Sequence, residues 1–210
     1  MNKTETIQIT FMRHGRSLAD DEGVHEGRYD SPLTKIGHVQ SHTRAQEFRK
    51  RGLKFDVIIS SPLQRAQSTA QAFEKALRVP VELDEDWMEM DNGPLAGMKR
   101  EVAAVKYPKP AFRNLYEPIC GTGESAWELY CRAARAVEKI IWRGAGKYLV
   151  VAHGGILNAA MRTIMGIPPR GDKPDVVFGF GDLGYARMEY RPERHVWRLL
   201  EFSNGLPPVN

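Results

Sequence analysis

Ile7-Gln8-Ile9-Thr10-Phe11-Met12-Arg13-His14-Gly15-Arg16-Ser17 is the stretch whose reading decides the fold. Ile7, Ile9 and Phe11 recur with period two, which predicts a buried strand. That strand runs directly into a guanidinium, an imidazole and a glycine, so its carboxyl end aims polar groups at one spot. Gly15 has no side chain, and a ligand could approach its backbone closely. Alone, an Arg-His-Gly turn fits a solvated strand end equally well. Its meaning depends on what other strands bring beside it.

Two further apolar runs end in the same manner. Residues 55–59 lead into Ser60-Ser61-Pro62 and a helix whose Leu63, Ala66, Ala70, Phe73 and Leu77 fall at helical spacing. Arg65 sits in the first turn of that helix, where a cation opposes the helix dipole and needs another reason to be there. Residues 148–152 are wholly apolar, as a central parallel strand is, and end in His153-Gly154-Gly155 before a helix over 156–165. Between these lie a brief strand, 80–83, and a Gly-rich connection, 87–97, that carries Glu89 and Asp91. Alternation of strand and helix predicts an α/β three-layer sandwich, with a mostly parallel central sheet flanked by helices and ligands at the strands' carboxyl ends.

Residues 18–33 read as a charged loop, and Thr34 as the N-cap of a helix reaching about Arg51 and closed by Gly52. Residues 98–122 read as a small cap insert: a short helix to Tyr107, then irregular chain with Pro108, Pro110 and Pro118. A long amphipathic helix follows Ser125, with Leu129, Ala133, Val137, Ile140 and Ile141 on one face. Residues 176–180, 184–190 and 195–202 read as short strands. Residues 1–210 are expected to form a single domain.

With 210 residues, 42% of them hydrophobic and 27% charged, the chain has the composition of a globular domain with a sizeable core. Its net charge of +4 suits an anionic ligand. The densest basic cluster, Arg49, Lys50, Arg51 and Lys54, lies where a helix should end, so no nucleic-acid partner is expected. Cys120 and Cys131 show no framework spacing, and no apolar stretch suggests a signal peptide or membrane span. A cytoplasmic setting is expected, with the cysteines, Trp127, Trp142 and Trp197 in packing roles. A homodimer stays open. His38 and His42 lie four apart on one helix but lack a third ligand, so no metal site and no cofactor are expected.

If the three strand ends are neighbours, Arg13, His14, Arg65 and His153 converge. Two guanidinium forks match the oxygens of a phosphoryl group, and a neutral imidazole between them can attack phosphorus to form a phosphohistidine that water later hydrolyses. Phosphoryl transfer asks mainly for positioning and charge neutralisation, which arginines supply without a metal. The leaving oxygen needs a proton; Glu89, flanked by Met88 and Met90, has surroundings that favour a neutral acid, and Asp91 competes with it.

These motifs occur in the order seen in the histidine phosphatase superfamily, the phosphoglycerate mutase-like group, which the chain resembles over nearly its whole length. R-H-G follows the first strand. S-S-P-L-x-R-A spans residues 60–66, E-x-x-x-G-x-x-x-G residues 89–97, G-E-S residues 123–125 and A-H-G-G residues 152–155. The resemblance implies His14 as the phosphorylated nucleophile, Arg13, Arg65 and His153 as the phosphate pocket, Glu89 as the proton donor and Gly27 as a backbone contact. Arg28 and Gly154 join the candidate substrate contacts.

Two positions depart from that pattern. Asp20 stands where the mutases carry Asn, and Glu26 where they carry a small hydroxyl residue. Unless neutralised or turned away, each carboxylate repels a second anionic group on the substrate. The expected function is therefore a metal-independent phosphomonoesterase acting on a small phosphorylated metabolite with a neutral or cationic remainder. A mutase-type phosphotransferase is the alternative, for which Lys99, Arg100 and Arg113 would form the cationic lid. A third reading is a phospho-ligand binding protein with weak or no turnover.

Overall fold

β1 (Ile7–Arg13) lies inside the sheet, parallel to β4 (Gly146–Ala152) on one side and antiparallel to β5 (Tyr185–Arg191) on the other. The computed structural model describes residues 6–170 and 176–206. Its six strands run in the order β3-β2-β4-β1-β5-β6. β2 (Val57–Ser60) and β3 (Val81–Leu83) continue the parallel part, and β6 (Val196–Ser203) closes the antiparallel edge.

Period-two alternation divides the core into two layers. Ile7, Ile9, Phe11, Ile59 and Val150 face α5 (Ala126–Trp142) and α6 (Gly154–Ile164), meeting Ala133, Val137, Ile140 and Leu157. Met12, Ile58, Leu149 and Val151 face α2 (Lys35–Lys50) and α3 (Gln64–Leu77), meeting Phe48, Ala66, Ala70 and Phe73. The expected α/β sandwich is the observed one, and the β1, β2 and β4 termini lie side by side at its carboxyl edge.

Several local expectations are corrected. Within residues 18–33 the chain forms α1 (Leu18–Glu22), capped by a box in which Ser17 and Asp20 exchange side-chain and backbone bonds. Five residues are too few to show a periodic signal. Residues 176–180 form no strand, because the Asn158 amide takes up both backbone groups of Phe178, donating from Nδ2 to its carbonyl at 3.1 Å and accepting from its N–H at 2.8 Å. Cys131 is exposed and Cys120 half-buried, so neither packs in the core. Trp142 is 81% exposed and Trp127 41%, whereas the buried tryptophan is Trp87, its ring 5.8 Å from that of Phe11.

Residues 98–122 carry α4 (Arg100–Lys106) and a single 3-10 turn over Ile119–Gly121. Bridges from Val24 to Lys99 and from His25 to Ala96 tie this segment to the loop after α1. Among the described residues, no helix is long and apolar enough to cross a membrane.

Candidate active site

Backbone pairing carries the sheet one step past each strand end and so assembles the site. His14 N–H donates to Ala152 at 3.0 Å, and Ser61 N–H to Val151 at 3.0 Å. Gly15 is held on Thr69 Oγ1 at 3.1 Å, and a Cβ there would stand 2.7 Å from the Gly37 carbonyl. The close approach that requires glycine is therefore made by α2 and not by a ligand.

His14 is fully buried. Its Nδ1 lies 2.7 Å from the Gly15 carbonyl, which can only accept, so Nδ1 carries the proton and Nε2 the lone pair. Burial, followed by the charges of Arg65 and Arg13, holds the ring well below the usual histidine range. A neutral imidazole is thus the resting form, and its Nε2 accepts a hydrogen bond from Arg65 Nε at 3.2 Å.

Arg65 is also fully buried, the reason a cation occupies the first turn of α3. Its Nη1 donates to Tyr29 O and its Nη2 to Gly27 O, both at 2.8 Å. Gly27 turns its carbonyl toward Arg65 with φ +49°, and any Cβ would collide with Asn92. His153 lies with its ring centroid 5.0 Å from that of His14, its Nε2 2.7 Å from Ser61 Oγ and its buried Nδ1 without a partner. Burial and Arg65 lower its pKa well below the usual range too. A phosphoryl oxygen would satisfy such a nitrogen. Arg13 reaches over the same edge, anchored on Phe180 O at 3.2 Å and 3.6 Å from Asp20.

Glu89 comes from a loop and is set at the N-terminus of α6. Its Oε1 accepts from Met90 N at 2.8 Å and Ile156 N at 3.0 Å, and its Oε2 from Gly155 N at 2.9 Å. Three backbone donors surround the carboxyl in place of the apolar flank that Met88 and Met90 suggest. Gly155 must be glycine, since a Cβ would stand 2.4 Å from Glu89 Oε1. Asp91 instead pairs with Arg28 at 3.6 Å and accepts from Gly93 N.

The loop is clamped from behind by Arg132 of α5. Its guanidinium pairs bidentately with Glu124 at 2.7 Å and donates to the carbonyls of Asp86 at 2.9 Å, Met88 at 2.7 Å and Glu89 at 3.3 Å. Glu124 in turn accepts from Asp91 N at 3.2 Å. Asp86 is fixed a second time by Arg135 and Lys139, which hold its carboxyl down at about 2.

The sequence profile of the histidine phosphatase superfamily (branch 1) matches residues 9–203. The chain belongs to this superfamily. As a histidine phosphatase it is 34% identical over 164 residues to "Putative phosphoserine phosphatase 2" of Hydrogenobacter thermophilus, covering 76% of this chain and 79% of that one. It is 31% identical over 175 residues to "Probable phosphoglycerate mutase GpmB" of Yersinia enterocolitica, covering 80% and 79%. Its fold is that of mycobacterial glucosyl-3-phosphoglycerate phosphatase (TM-score 0.77, 20% identity, 93% and 98% covered). It also superposes on a phosphoserine phosphatase from Entamoeba histolytica (TM-score 0.74, 22% identity, 94% and 96% covered).

Of the sequence candidates in this histidine phosphatase, Arg13, His14, Glu26, Gly27, Arg65 and His153 are joined by the contacts above or by those of Glu26 described below. Glu89 is close enough for its charge to raise the Arg65 pKa against the lowering by burial. Asp20 is taken up by the α1 capping box and by Arg13. Arg28 is displaced outward to Asp91, beside a cavity of about 350 Å³ that Glu124 and Arg132 also line. Gly154 opens α6 directly after His153, and a Cβ there would meet nothing within 4 Å. Sequence reading passed over Ser61, Thr69, Glu124 and Arg132 as site residues. Arg132 had a signal: three residues after Leu129 and four before Ala136, it is a cation inside the apolar stripe of α5.

Proposed function

We propose that this chain is a metal-independent phosphomonoesterase that works through a phosphohistidine at His14. The observation that carries the reading is the His14 ring itself: its Nδ1–H is spent on Gly15 O, and its neutral Nε2 stands beside Arg65. Nε2 attacks phosphorus, the bond to the ester oxygen breaks, and Glu89 gives that oxygen a proton. Arg13 and Arg65 balance the charge on the non-bridging oxygens while His153 hydrogen-bonds one of them. Water then attacks the phosphohistidine, Glu89 takes its proton, and inorganic phosphate leaves with His14 restored. The relative named a putative phosphoserine phosphatase and the fold shared with a glucosyl-3-phosphoglycerate phosphatase support hydrolysis of a small phosphorylated molecule.

The test is hydrolysis of p-nitrophenyl phosphate in EDTA by the wild type and by His14→Ala, with acid-labile phosphate on the protein followed by mass spectrometry. Turnover that vanishes in His14→Ala supports the reading, and equal activity in the two proteins sinks it. A second reading, mutase-type phosphotransfer, draws on the relatives named phosphoglycerate mutases at 31% identity. It requires interconversion of 2- and 3-phosphoglycerate to outrun release of inorganic phosphate. The short cap over residues 98–122 offers little to keep water from the intermediate.

A further inference from the structure

The group nearest the nucleophile, after the residues already assigned, is a carboxyl. Glu26 Oε2 lies 3.8 Å from His14 Nε2 and its Oε1 3.5 Å from Arg65 Nε. These two atoms, 3.2 Å from each other, are ones that a transferring phosphoryl group must contact. Glu26 Oε1 also makes a very short contact with Ser17 Oγ, and that hydroxyl is 3.0 Å from Asp20 Oδ2 as well. A hydroxyl has one proton to give, so it cannot donate to both carboxylates. Ser17 therefore cannot neutralise both, and Glu26 Oε2, on the His14 side, is the oxygen that faces the phosphoryl group.

The surroundings point the same way. Glu26 is largely buried, and burial, assisted by the charge of Asp20, raises its pKa although Arg65, Arg13 and Ser17 pull it down. The charged or titratable groups that face it are Arg13 and His14 at the end of β1, Asp20 of α1 and Arg65 of α3. A phosphoryl dianion against His14 and Arg65 adds negative charge within a few ångströms of this carboxyl. Arg65 and Arg13 then face two anions, and a proton on the carboxyl removes the repulsion between them.

We propose that Glu26 is a specificity-determining acid of the phosphoryl seat: on binding of a phosphomonoester dianion it holds one proton, taken from solvent, and donates a hydrogen bond to a phosphoryl oxygen. This rests on the assignment of the seat to a phosphoester. It goes further in making anion binding proton-linked and in selecting tetrahedral dianions that accept a hydrogen bond on that side.

The experiment measures affinity for tungstate, a tetrahedral oxyanion that stays a dianion from about pH 6 to about pH 9, by calorimetry in buffers of different ionisation enthalpy. In the wild type the Kd is expected to rise by up to about tenfold per pH unit above the Glu26 pKa, with uptake of up to about one proton. Glu26→Gln keeps a donor but cannot titrate, and its affinity should be flat across the range. Glu26→Ala loses the donor and should bind about tenfold more weakly than Glu26→Gln near pH 6. Equal pH slopes in wild type and Glu26→Gln overturn the proposal, assigning the proton to His14 or His153, as does equal affinity of the Ala and Gln variants. Binding is read without turnover, so a protein that shows the expected slopes yet hydrolyses no ester overturns the phosphatase reading alone. Absence of tungstate binding overturns both.

Discussion

The proposed phosphoryl seat and the loop that carries Glu89 are built by opposite means. Arg13 ends β1, His14, Ser61 and His153 follow the ends of neighbouring strands, and Arg65 stands in the first turn of α3, so the sheet fixes their mutual positions before any side chain is considered. The Glu89 loop belongs to no strand and contains only short 3-10 turns. Its geometry comes from side chains outside it: Arg132 and Glu124 grip its backbone, and Arg135 and Lys139 its Asp86. Positioning by the sheet is set by local pattern. Positioning by the clamp depends on charges that lie far away in sequence.

Variants can break that comparison one region at a time. The largest effect belongs to the seat: Arg65→Gln is expected to lower kcat/KM by about 10²–10³ through loss of charge beside Nε2, measured with p-nitrophenyl phosphate. Arg132→Lys keeps a cation opposite Glu124 but cannot reach the Asp86, Met88 and Glu89 carbonyls together. It should lower kcat by about 10–100-fold while leaving tungstate affinity at the wild-type value. Equal losses in both would show that the seat and the loop are one unit. Ser61→Ala frees His153 Nε2 from its anchor and should cost about tenfold or less, mainly in kcat/KM.

The smallest effects concern pH. Because burial and the neighbouring arginines hold His14 and His153 well below the usual histidine value of 6.5, both remain neutral at neutral pH, and the acid limb of kcat/KM lies below that value. The same groups make stability pH-dependent. The unfolded histidines take up protons below 6.5 while the buried ones do not, so their contribution is present above 6.5 and is lost as pH falls toward the folded-state values. The melting temperature should therefore decline over that interval, and less so in His153→Ala.

What could be read from the sequence follows the same division. Apolar runs that end in Arg13-His14-Gly15, Ser60-Ser61-Pro62 and His153-Gly154-Gly155 gave away the parallel strands and the seat, because buried strands and their ends have local periodicity. Glu89 was legible as one of two candidate acids, with Asp91 competing until the resemblance chose between them, and its three backbone donors were not legible at all, since they belong to its own loop and to α6. Arg132 hid because a stripe of apolar residues draws the eye away from the one charged member of its face. Asn158 and Phe178 show the same limit: an amide clasping a backbone replaces a strand without changing composition.

The place of β1 in the sheet has a consequence for how the chain is made. Its parallel neighbour begins at Gly146 and its antiparallel neighbour at Tyr185, so β1 leaves the ribosome ahead of both of its sheet partners. Until they emerge, His14 rides on an unpaired apolar segment. A nascent chain stalled before Gly146 should remain protease-sensitive at its amino end, and Arg13-His14-Gly15 should become protected only once β4 has emerged.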